Sequence, residues 1–156
     1  MPGPGDLDFW ANAWDKKKTG WHTSSRDPNN ELIVPYDKLI MGKENGRILV
    51  PLCGKSGDLL WLAKEKGHTV IGIEGVESAA QEFFEENSIE YNRSELDGGV
   101  GAKFASKDGS ITILASDFFA VTQEMVGPLD LVYDRGALVA LPANIREPLF
   151  MTSAKI

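Results

Sequence analysis

The chain has 156 residues, the size of one domain, and its 16 basic and 23 acidic side chains give a net charge of −7. This acidic balance, without a stripe of Lys and Arg, argues against nucleic acid and anionic membranes as partners. One cysteine excludes an internal disulfide. The N-terminus has neither the basic nor the apolar region of a signal peptide, and no apolar run is long enough to span a membrane. We therefore expect a cytoplasmic protein.

The N-terminal part of the chain predicts short helices separated by a polar loop. Residues 1–8 are expected to be a disordered lead-in, and residues 9–18 form a predicted helix. Residues 19–30 are polar and rich in turn formers, which indicates a loop. Residues 31–41 form a further predicted helix, whose start is uncertain because Pro35 fits only the first turn of a helix.

The rest of the chain alternates short apolar strands with amphipathic helices. The predicted core strands cover residues 47–52, 69–74, 110–115 and 129–133. Helices are predicted over residues 56–66 and 77–87, and a hairpin over residues 103–115 leads into the third core strand. This alternation is typical of an α/β fold with a doubly wound, mostly parallel sheet.

Polar or glycine residues follow all four predicted core strands. They are Leu52 to Gly54, Glu74, the pair Ser116 and Asp117, and the pair Asp134 and Arg135. In an open parallel sheet, ligands bind beyond the carboxyl ends of the strands, where the strand order reverses. Asp134 and Arg135 could also form a structural ion pair with each other.

The turn after the first core strand is the most informative of these sites. Residues 50–58 read as a strand, a tight glycine turn and a helix, and the next strand ends in Glu74. Such a turn brings backbone N–H groups close to a ligand, and the acid accepts hydrogen bonds from ribose hydroxyls. The three-glycine fingerprint for a pyrophosphate is absent, which makes a nicotinamide cofactor a weak alternative. A nucleoside without phosphates is favoured, and S-adenosylmethionine is the common one.

Several motifs in the same order resemble the thiopurine S-methyltransferase family. They are Trp10, Trp14 and Trp21-His22 with their spacing, Pro51 to Lys55, Gly67 to Glu74, Gln81 to Phe84, and Tyr133 to Ala140. The resemblance covers about residues 9–147. It implies a Rossmann-like class I methyltransferase fold, S-adenosyl-L-methionine as cofactor, and methyl transfer to the sulfur of aromatic or heterocyclic thiols.

The resemblance also implies roles for individual residues. Trp10, Trp14 and Trp21 correspond to a lid over the cofactor, within an N-terminal segment of about residues 9–41. In the core, residues 46–147, Leu52 and Gly54 form the first turn against the cofactor, and Glu74 binds the ribose. Ser116 and Asp117 correspond to the adenine contacts. Arg135 corresponds to the residue beside the methionine part and the acceptor sulfur, and is the one candidate for a catalytic role.

The chain departs from the family after Arg146. Family members continue with further strands and helices, whereas residues 148–156 form a divergent tail, so we expect a C-terminally truncated single domain. The strand at residues 129–133 is then an exposed edge that could pair with another chain, although the family is generally monomeric. A catalytically inactive isoform and a thiol or halide methyltransferase remain alternatives.

The remaining candidates are given ordinary roles. Cys53 is expected to be a small buried side chain, because the sequence places no base beside it. His22 and His68 are expected to be surface or loop residues, and no metal site is predicted.

Overall fold

The computed structural model describes residues 3–153, and its framework is one six-stranded sheet in the order β3-β4-β5-β2-β1-β6. The strands are β1 (Arg47–Val50), β2 (Thr69–Glu74), β3 (Tyr91–Glu95), β4 (Gly101–Ser106), β5 (Ile111–Ser116) and β6 (Leu131–Val132). Strands β5, β2, β1 and β6 run parallel to one another, and β3 and β4 add an antiparallel edge. The prediction of an α/β, mostly parallel sheet is confirmed.

The helices are short and lie before, between and after these strands in the sequence. They are α1 (Leu7–Asp15), α2 (Asn30–Ile33), α3 (Tyr36–Ile40), α4 (Gly57–Leu60), α5 (Glu77–Glu86), α6 (Gln123–Val126), α7 (Ala137–Ala140) and α8 (Ala143–Ser153). Helix α4 continues as a π-helical turn over Trp61–Glu65. None of the helices within residues 3–153 is long and apolar enough to cross a membrane.

The strand order reverses at β1, in the middle of the parallel part. From β1 the chain moves to β2 and then to β5 on one side, whereas β6 returns to the other side of β1. Leu49 is in register with Ile71 of β2 and with Val132 of β6. A crevice therefore opens beyond the carboxyl end of β1, which is where an open α/β sheet binds its ligand.

Alternating residues of the strands supply two hydrophobic clusters, one on each face of the sheet. Ile48 and Ile113 point into a cluster with Phe83 of helix α5, whereas Leu49 and Leu114 belong to the other cluster. All five side chains are fully buried. This period of two, with helices covering both faces, is the packing of a doubly wound sheet.

Several element boundaries differ from the sequence-based predictions. Helix α1 begins at Leu7 rather than at residue 9, so it takes in part of the predicted disordered lead-in, of which residues 1 and 2 lie outside the described range. The helix predicted over residues 31–41 is two helices, because Pro35 separates α2 from α3. Strand β3 was not predicted.

The C-terminal part forms helices beside the sheet. Helix α8 runs through Ser153 with Pro148 inside it, so the first part of the predicted divergent tail is helical. Residues 154–156 of that tail lie outside the described range. Strand β6 forms one end of the sheet as predicted, but only Leu131 and Val132 belong to it.

Candidate functional site

A cavity of about 480 Å³ lies beyond the carboxyl ends of β1, β2 and β5. Every predicted site residue except Ser116 lines it, namely Trp10, Trp14, Trp21, Leu52, Gly54, Glu74, Asp117 and Arg135. A pocket of this volume is within the range of small-molecule and cofactor sites. The fold therefore brings together in one cavity residues that are far apart in the sequence.

The turn after β1 forms the floor of the cavity. Leu52 and Gly54 both have positive φ angles, 45° and 53°, which turn the chain sharply after the strand. The backbone N–H of Cys53 donates to the carbonyl oxygen of Ile73, 2.9 Å away, so the turn is anchored to β2. A Cβ on Gly54 would lie 3.1 Å from the indole of Trp14. Glycine at this position therefore lets the aromatic wall approach the turn.

Glu74, at the end of β2, is the central acid of the cavity. Its two carboxylate oxygens accept hydrogen bonds from the backbone N–H groups of Gly54 and Val76, each at 2.9 Å. The side chain is buried, and this burial raises the pKa of Glu74 to about 7, although the two N–H donors act in the opposite direction. Each oxygen keeps a second lone pair, so the carboxylate can still accept bonds from two ligand hydroxyls.

Three tryptophans from the N-terminal segment form one wall of the cavity. Trp10 and Trp14 lie one turn apart on helix α1, and both pack edge-on against Trp21, with ring centroids 5.2 and 5.9 Å apart. The indole N–H of Trp10 donates to the carbonyl oxygen of Pro4 at 2.9 Å. Trp21 is 41% exposed, so the three rings are a wall at the cavity mouth rather than anchors of the core.

Arg135 joins the end of β6 to this wall. Its guanidinium donates to the carbonyl oxygen of Trp21 at 3.0 Å. Asp134 instead accepts a hydrogen bond from the backbone N–H of Ala137 at 2.8 Å, at the start of helix α7. No ion pair between Asp134 and Arg135 occurs in the described part of the chain, so that alternative is not supported.

Ser116, the last residue of β5, and Asp117, which follows it, have different surroundings. The Ser116 hydroxyl donates to the carbonyl oxygen of Val100 at 2.7 Å and is buried away from the cavity. A contact between this hydroxyl and a ligand is therefore not supported. Asp117 does line the cavity, and its carboxylate accepts from the backbone N–H of Phe119 at 2.9 Å. Phe118 and Phe119, which the sequence-based reading did not single out, line the cavity beside it.

Lys55 and Asp58 are cavity residues that sequence reasoning did not single out. The Lys55 ammonium binds Glu82 and Glu86 of helix α5, each at 2.7 Å, and lies 5.4 Å from the centroid of the Trp14 ring. Lys55 thus links α5, the turn after β1 and the aromatic wall. Its raised pKa, where the two glutamates outweigh the effect of burial, keeps it charged.

Asp58 holds the loop before α2 against helix α4. Its carboxylate is buried and accepts from the backbone N–H of Asn29 at 2.6 Å and from the Asn29 side-chain amide at 3.0 Å. The Tyr133 hydroxyl lies 3.5 Å from the same carboxylate. A buried carboxylate with several donors is stable, whereas one without them would be costly.

The two histidines lie outside helices and strands, as expected, but neither is an exposed surface side chain. His22 is half-buried, lines the cavity and packs edge-on against Trp14 at 5.5 Å between ring centroids. His68 is buried at the amino end of β2, where its ring nitrogens bond to the Tyr36 hydroxyl at 2.6 Å and the Gly46 N–H at 3.0 Å. His68 is therefore a structural residue of the core and not a surface residue.

Cys53 is buried as expected, and burial raises the pKa of its thiol well above the usual range. Within residues 3–153, no group of three or more His, Cys, Asp or Glu side chains is arranged to hold a metal ion.

Two solved structures with the same architecture are named as methyltransferases. A Haemonchus contortus N-methyltransferase in complex with phosphomonomethylethanolamine and S-adenosylhomocysteine superimposes with a TM-score of 0.62 at 17% identity, covering 99% of this chain and 34% of that one. A putative methyltransferase from Methanococcus maripaludis gives 0.57 at 13% identity, covering 100% of this chain and 60% of that one. The fold is the Rossmann-like fold of class I methyltransferases.

Sequence comparison is more specific than the fold. Residues 5–153 match the thiopurine S-methyltransferase family. A probable thiopurine S-methyltransferase from Danio rerio is 42% identical over 137 residues, which are 87% of this chain and 58% of the relative. A thiopurine S-methyltransferase from Methylococcus capsulatus is 36% identical over 141 residues, 90% of this chain and 60% of the relative. The chain belongs to the thiopurine S-methyltransferase family, and it spans about 60% of the length of these curated relatives.

Proposed function

We propose that the chain is an S-adenosyl-L-methionine-dependent methyltransferase that acts on the sulfur of aromatic or heterocyclic thiols. The observation that carries this proposal is the convergence of a buried acid, Glu74, an aromatic wall and a cation, Arg135, in one cavity. Membership of the thiopurine S-methyltransferase family supports the reaction type. The division into an N-terminal segment over the cofactor and a core domain, and a cytoplasmic location, are parts of the same proposal.

The cavity residues fit a nucleoside cofactor. The free lone pairs of Glu74 suit the two ribose hydroxyls, and the turn at Leu52 and Gly54 allows close approach of a ligand. The proposal assigns the adenine base to Asp117 and the apolar Phe118, which both line the cavity. The tryptophan wall suits a sulfonium, because aromatic faces attract cations. The cofactor supplies a methyl group already activated by a sulfonium leaving group.

The mouth of the cavity is suited to an aromatic acceptor. Large apolar side chains that line the cavity remain substantially exposed there, namely Leu7, Trp21, Phe119 and Val139, at 41–74%. Exposed apolar surface next to a polar site is typical of a binding surface for an apolar ligand. A ring held against this rim would direct its sulfur towards the polar interior of the cavity.

The contributions of the chain are to align and to desolvate the reacting groups. The aromatic wall excludes water, and the bond from Arg135 to the Trp21 carbonyl holds the cation at the wall. The Arg135 guanidinium can stabilise the acceptor as a thiolate, which is a stronger nucleophile than the thiol. Holding two reactants in line removes much of the entropic cost of a bimolecular displacement.

Titration calorimetry with S-adenosylhomocysteine tests the cofactor site. We expect saturable binding by the natural chain and roughly tenfold to 100-fold weaker binding by Glu74→Ala, since a hydrogen bond to a charged group contributes about 1.5–3 kcal/mol. Glu124→Ala, an exposed acid on α6, is the matched control and should bind normally. Absence of binding by the folded natural chain would contradict the proposal.

Turnover of labelled S-adenosylmethionine with a panel of acceptors tests the reaction. We expect methylated product with 6-mercaptopurine or thiophenol, and less with small aliphatic thiols or iodide. A preference for iodide would identify a halide methyltransferase instead. Cofactor binding without any methylated product would identify a non-catalytic chain that retains the nucleoside site.

A further inference from the structure

We infer that His22 is a catalytic residue that accepts the proton of a weakly acidic thiol acceptor, an inference that rests on the proposed function. The observation behind it is the position of the imidazole in the cavity that Glu74 and Arg135 also line. No role for this residue was expected from the sequence, because its surroundings come from three distant parts of the chain.

The geometry leaves the ring nitrogens of His22 available. Among the described residues neither nitrogen makes a hydrogen bond, whereas both nitrogens of His68 are engaged. The ring is held in place by edge-on packing against Trp14, and the backbone N–H of His22 donates to the carbonyl oxygen of Thr19 at 2.9 Å. A positioned ring that lines a cavity and keeps its nitrogens free of hydrogen bonds can act on a bound ligand.

The charged groups around His22 favour its neutral form. Burial, Lys55 from the turn after β1, and Arg135 from the segment after β6 lower the pKa of the imidazole, and Glu86 of helix α5 opposes them. Trp14 of helix α1 contributes no charge. The ring is therefore uncharged at neutral pH, which is the form that accepts a proton.

The other acidic or basic side chains that line the cavity, within the described residues, are less suited to this role. The carboxylate oxygens of Glu74 and Asp58 already accept backbone or amide N–H groups, and the proposed function assigns the remaining lone pairs of Glu74 to the ribose hydroxyls. Asp6 and Asp117 are exposed carboxylates that already accept the backbone N–H groups of Gly3 and Phe119. Cys53 is a buried thiol, which is itself an acid.

The proposed step balances in protons and electrons. The S–H bond of the acceptor breaks, and its proton binds a ring nitrogen of His22. The electron pair left on sulfur forms the new bond to the methyl carbon, while the old bond from that carbon to the sulfonium sulfur breaks towards sulfur. The imidazolium of His22 then returns its proton to water. Acceptors that are already thiolates need no such step, and Arg135 is sufficient for them.

The contact between the His22 ring and a bound thiol is tested by NMR. The protein carries ¹⁵N-labelled histidine rings and is first saturated with S-adenosylhomocysteine. The chain contains two histidines, so the His22→Gln variant assigns both sets of signals. We expect benzyl mercaptan to shift the His22 ring nitrogens with saturation, and benzyl methyl sulfide, which has no S–H, not to do so. The His68 signals should not move. A bound thiol that leaves the His22 nitrogens unshifted would overturn the inference.

The kinetic test compares two acceptors at saturating cofactor. His22→Gln should lose about 10²-fold in turnover of benzyl mercaptan, the lower range for general base catalysis, but stay within about twofold for 4-nitrothiophenol, which is ionised at neutral pH. His22→Asn should behave in the same way. Equal losses with both acceptors, or no loss with either, would overturn the inference. If the natural chain methylates no thiol, the proposed function fails, and the NMR contact still decides the position of His22.

Discussion

The backbone N–H of Gly54 donates a 2.9 Å hydrogen bond to the carboxylate of Glu74, across twenty residues of sequence. This bond ties the turn after β1 to the end of β2. The second oxygen of Glu74 is fixed in the same way by Val76. The acid is therefore preorganised, and a ligand does not have to pay for its orientation.

The affinity for S-adenosylhomocysteine should depend on pH through Glu74. Burial raises the pKa of Glu74 to about 7, and its ionised form accepts hydrogen bonds from two ribose hydroxyls better than the protonated form, which has an O–H donor in place of one acceptor site. We expect the affinity to approach a constant value about one pH unit above 7 and to fall by up to tenfold per pH unit below pH 7. Calorimetry between pH 5 and 8 measures this, and Asp117→Asn should keep the same profile. A flat profile would contradict the raised pKa or the contact.

The stability of the ligand-free protein should depend on pH in the opposite direction from the affinity, since the Glu74 contribution decreases as the pH rises. The folded protein holds the Glu74 proton up to about pH 7, whereas the unfolded chain loses it near the ordinary pKa of 4.5. The Glu74 contribution to the free energy of unfolding is thus fully present below pH 4.5 and falls, by roughly 3 kcal/mol in total, as the pH rises to 7.

Comparison of the natural chain with Glu74→Gln isolates the contribution of Glu74 to the pH dependence of stability. Lys64 and Lys43 lower the pKa values of Asp108 and Asp130, and these two acids affect both proteins equally. The difference in urea-unfolding free energy, natural chain minus variant, should decrease steadily from pH 4.5 to 7. A constant difference would show that the buried carboxyl titrates normally.

The double variant Asn29→Asp/Asp58→Asn, which exchanges the amide and the acid, should recover stability that Asp58→Asn alone loses. Asp58→Asn alone places two amide donors face to face, and we expect it to cost about 2 kcal/mol in the free energy of unfolding. Adding Asn29→Asp supplies an acceptor again, while the backbone N–H of residue 29 keeps its bond to residue 58. Chemical denaturation of the two single variants and the double variant measures the coupling, and simple additivity would contradict it.

Substitutions at Gly72 and Cys53 should also have coupled effects on stability, because a larger side chain at residue 72 would need the space that the Cys53 sulfur fills. A Cβ on Gly72 would lie 2.6 Å from the Cys53 sulfur and 3.4 Å from Ile113. Gly72→Ala should therefore destabilise the fold by about 1–3 kcal/mol through overpacking. Cys53→Ala in the same chain removes the sulfur and should recover about half of that loss. Thermal unfolding of the four proteins tests this, and equal melting temperatures for Gly72→Ala and the double variant would contradict the proposed clash.

The parallel core could be predicted from the sequence, but the antiparallel edge could not. Strand β2 has the predicted bounds, Thr69–Glu74, because it is an apolar run closed by a polar residue. Strand β3, Tyr91–Glu95, is polar and largely exposed, so it carries no hydrophobic pattern. It is held by antiparallel pairing with β4, a tertiary interaction that a local pattern does not reveal.

The candidate site, too, could be predicted from the sequence only in part. Glu74 and the glycine turn could be found because strand ends meet at one edge of a parallel sheet. The partners of Asp58 and Arg135 could not be found, since they lie 29 and 114 residues away in the sequence. The resemblance implied an adenine contact for Ser116, but the Ser116 hydroxyl donates to the carbonyl oxygen of Val100 within the fold.

Helix α1 carries two of the three cavity tryptophans, yet none of its own residues is buried. Its attachment to the rest of the protein is therefore weak compared with that of the fully buried strand residues beneath it, and segments of this kind open locally without global unfolding. We therefore expect the time for which a bound nucleoside stays in the cavity to be set by the opening of α1 and not by the stability of the sheet. Hydrogen exchange should show rapid exchange in α1 and slow exchange in β2, and ligand binding should slow only the former.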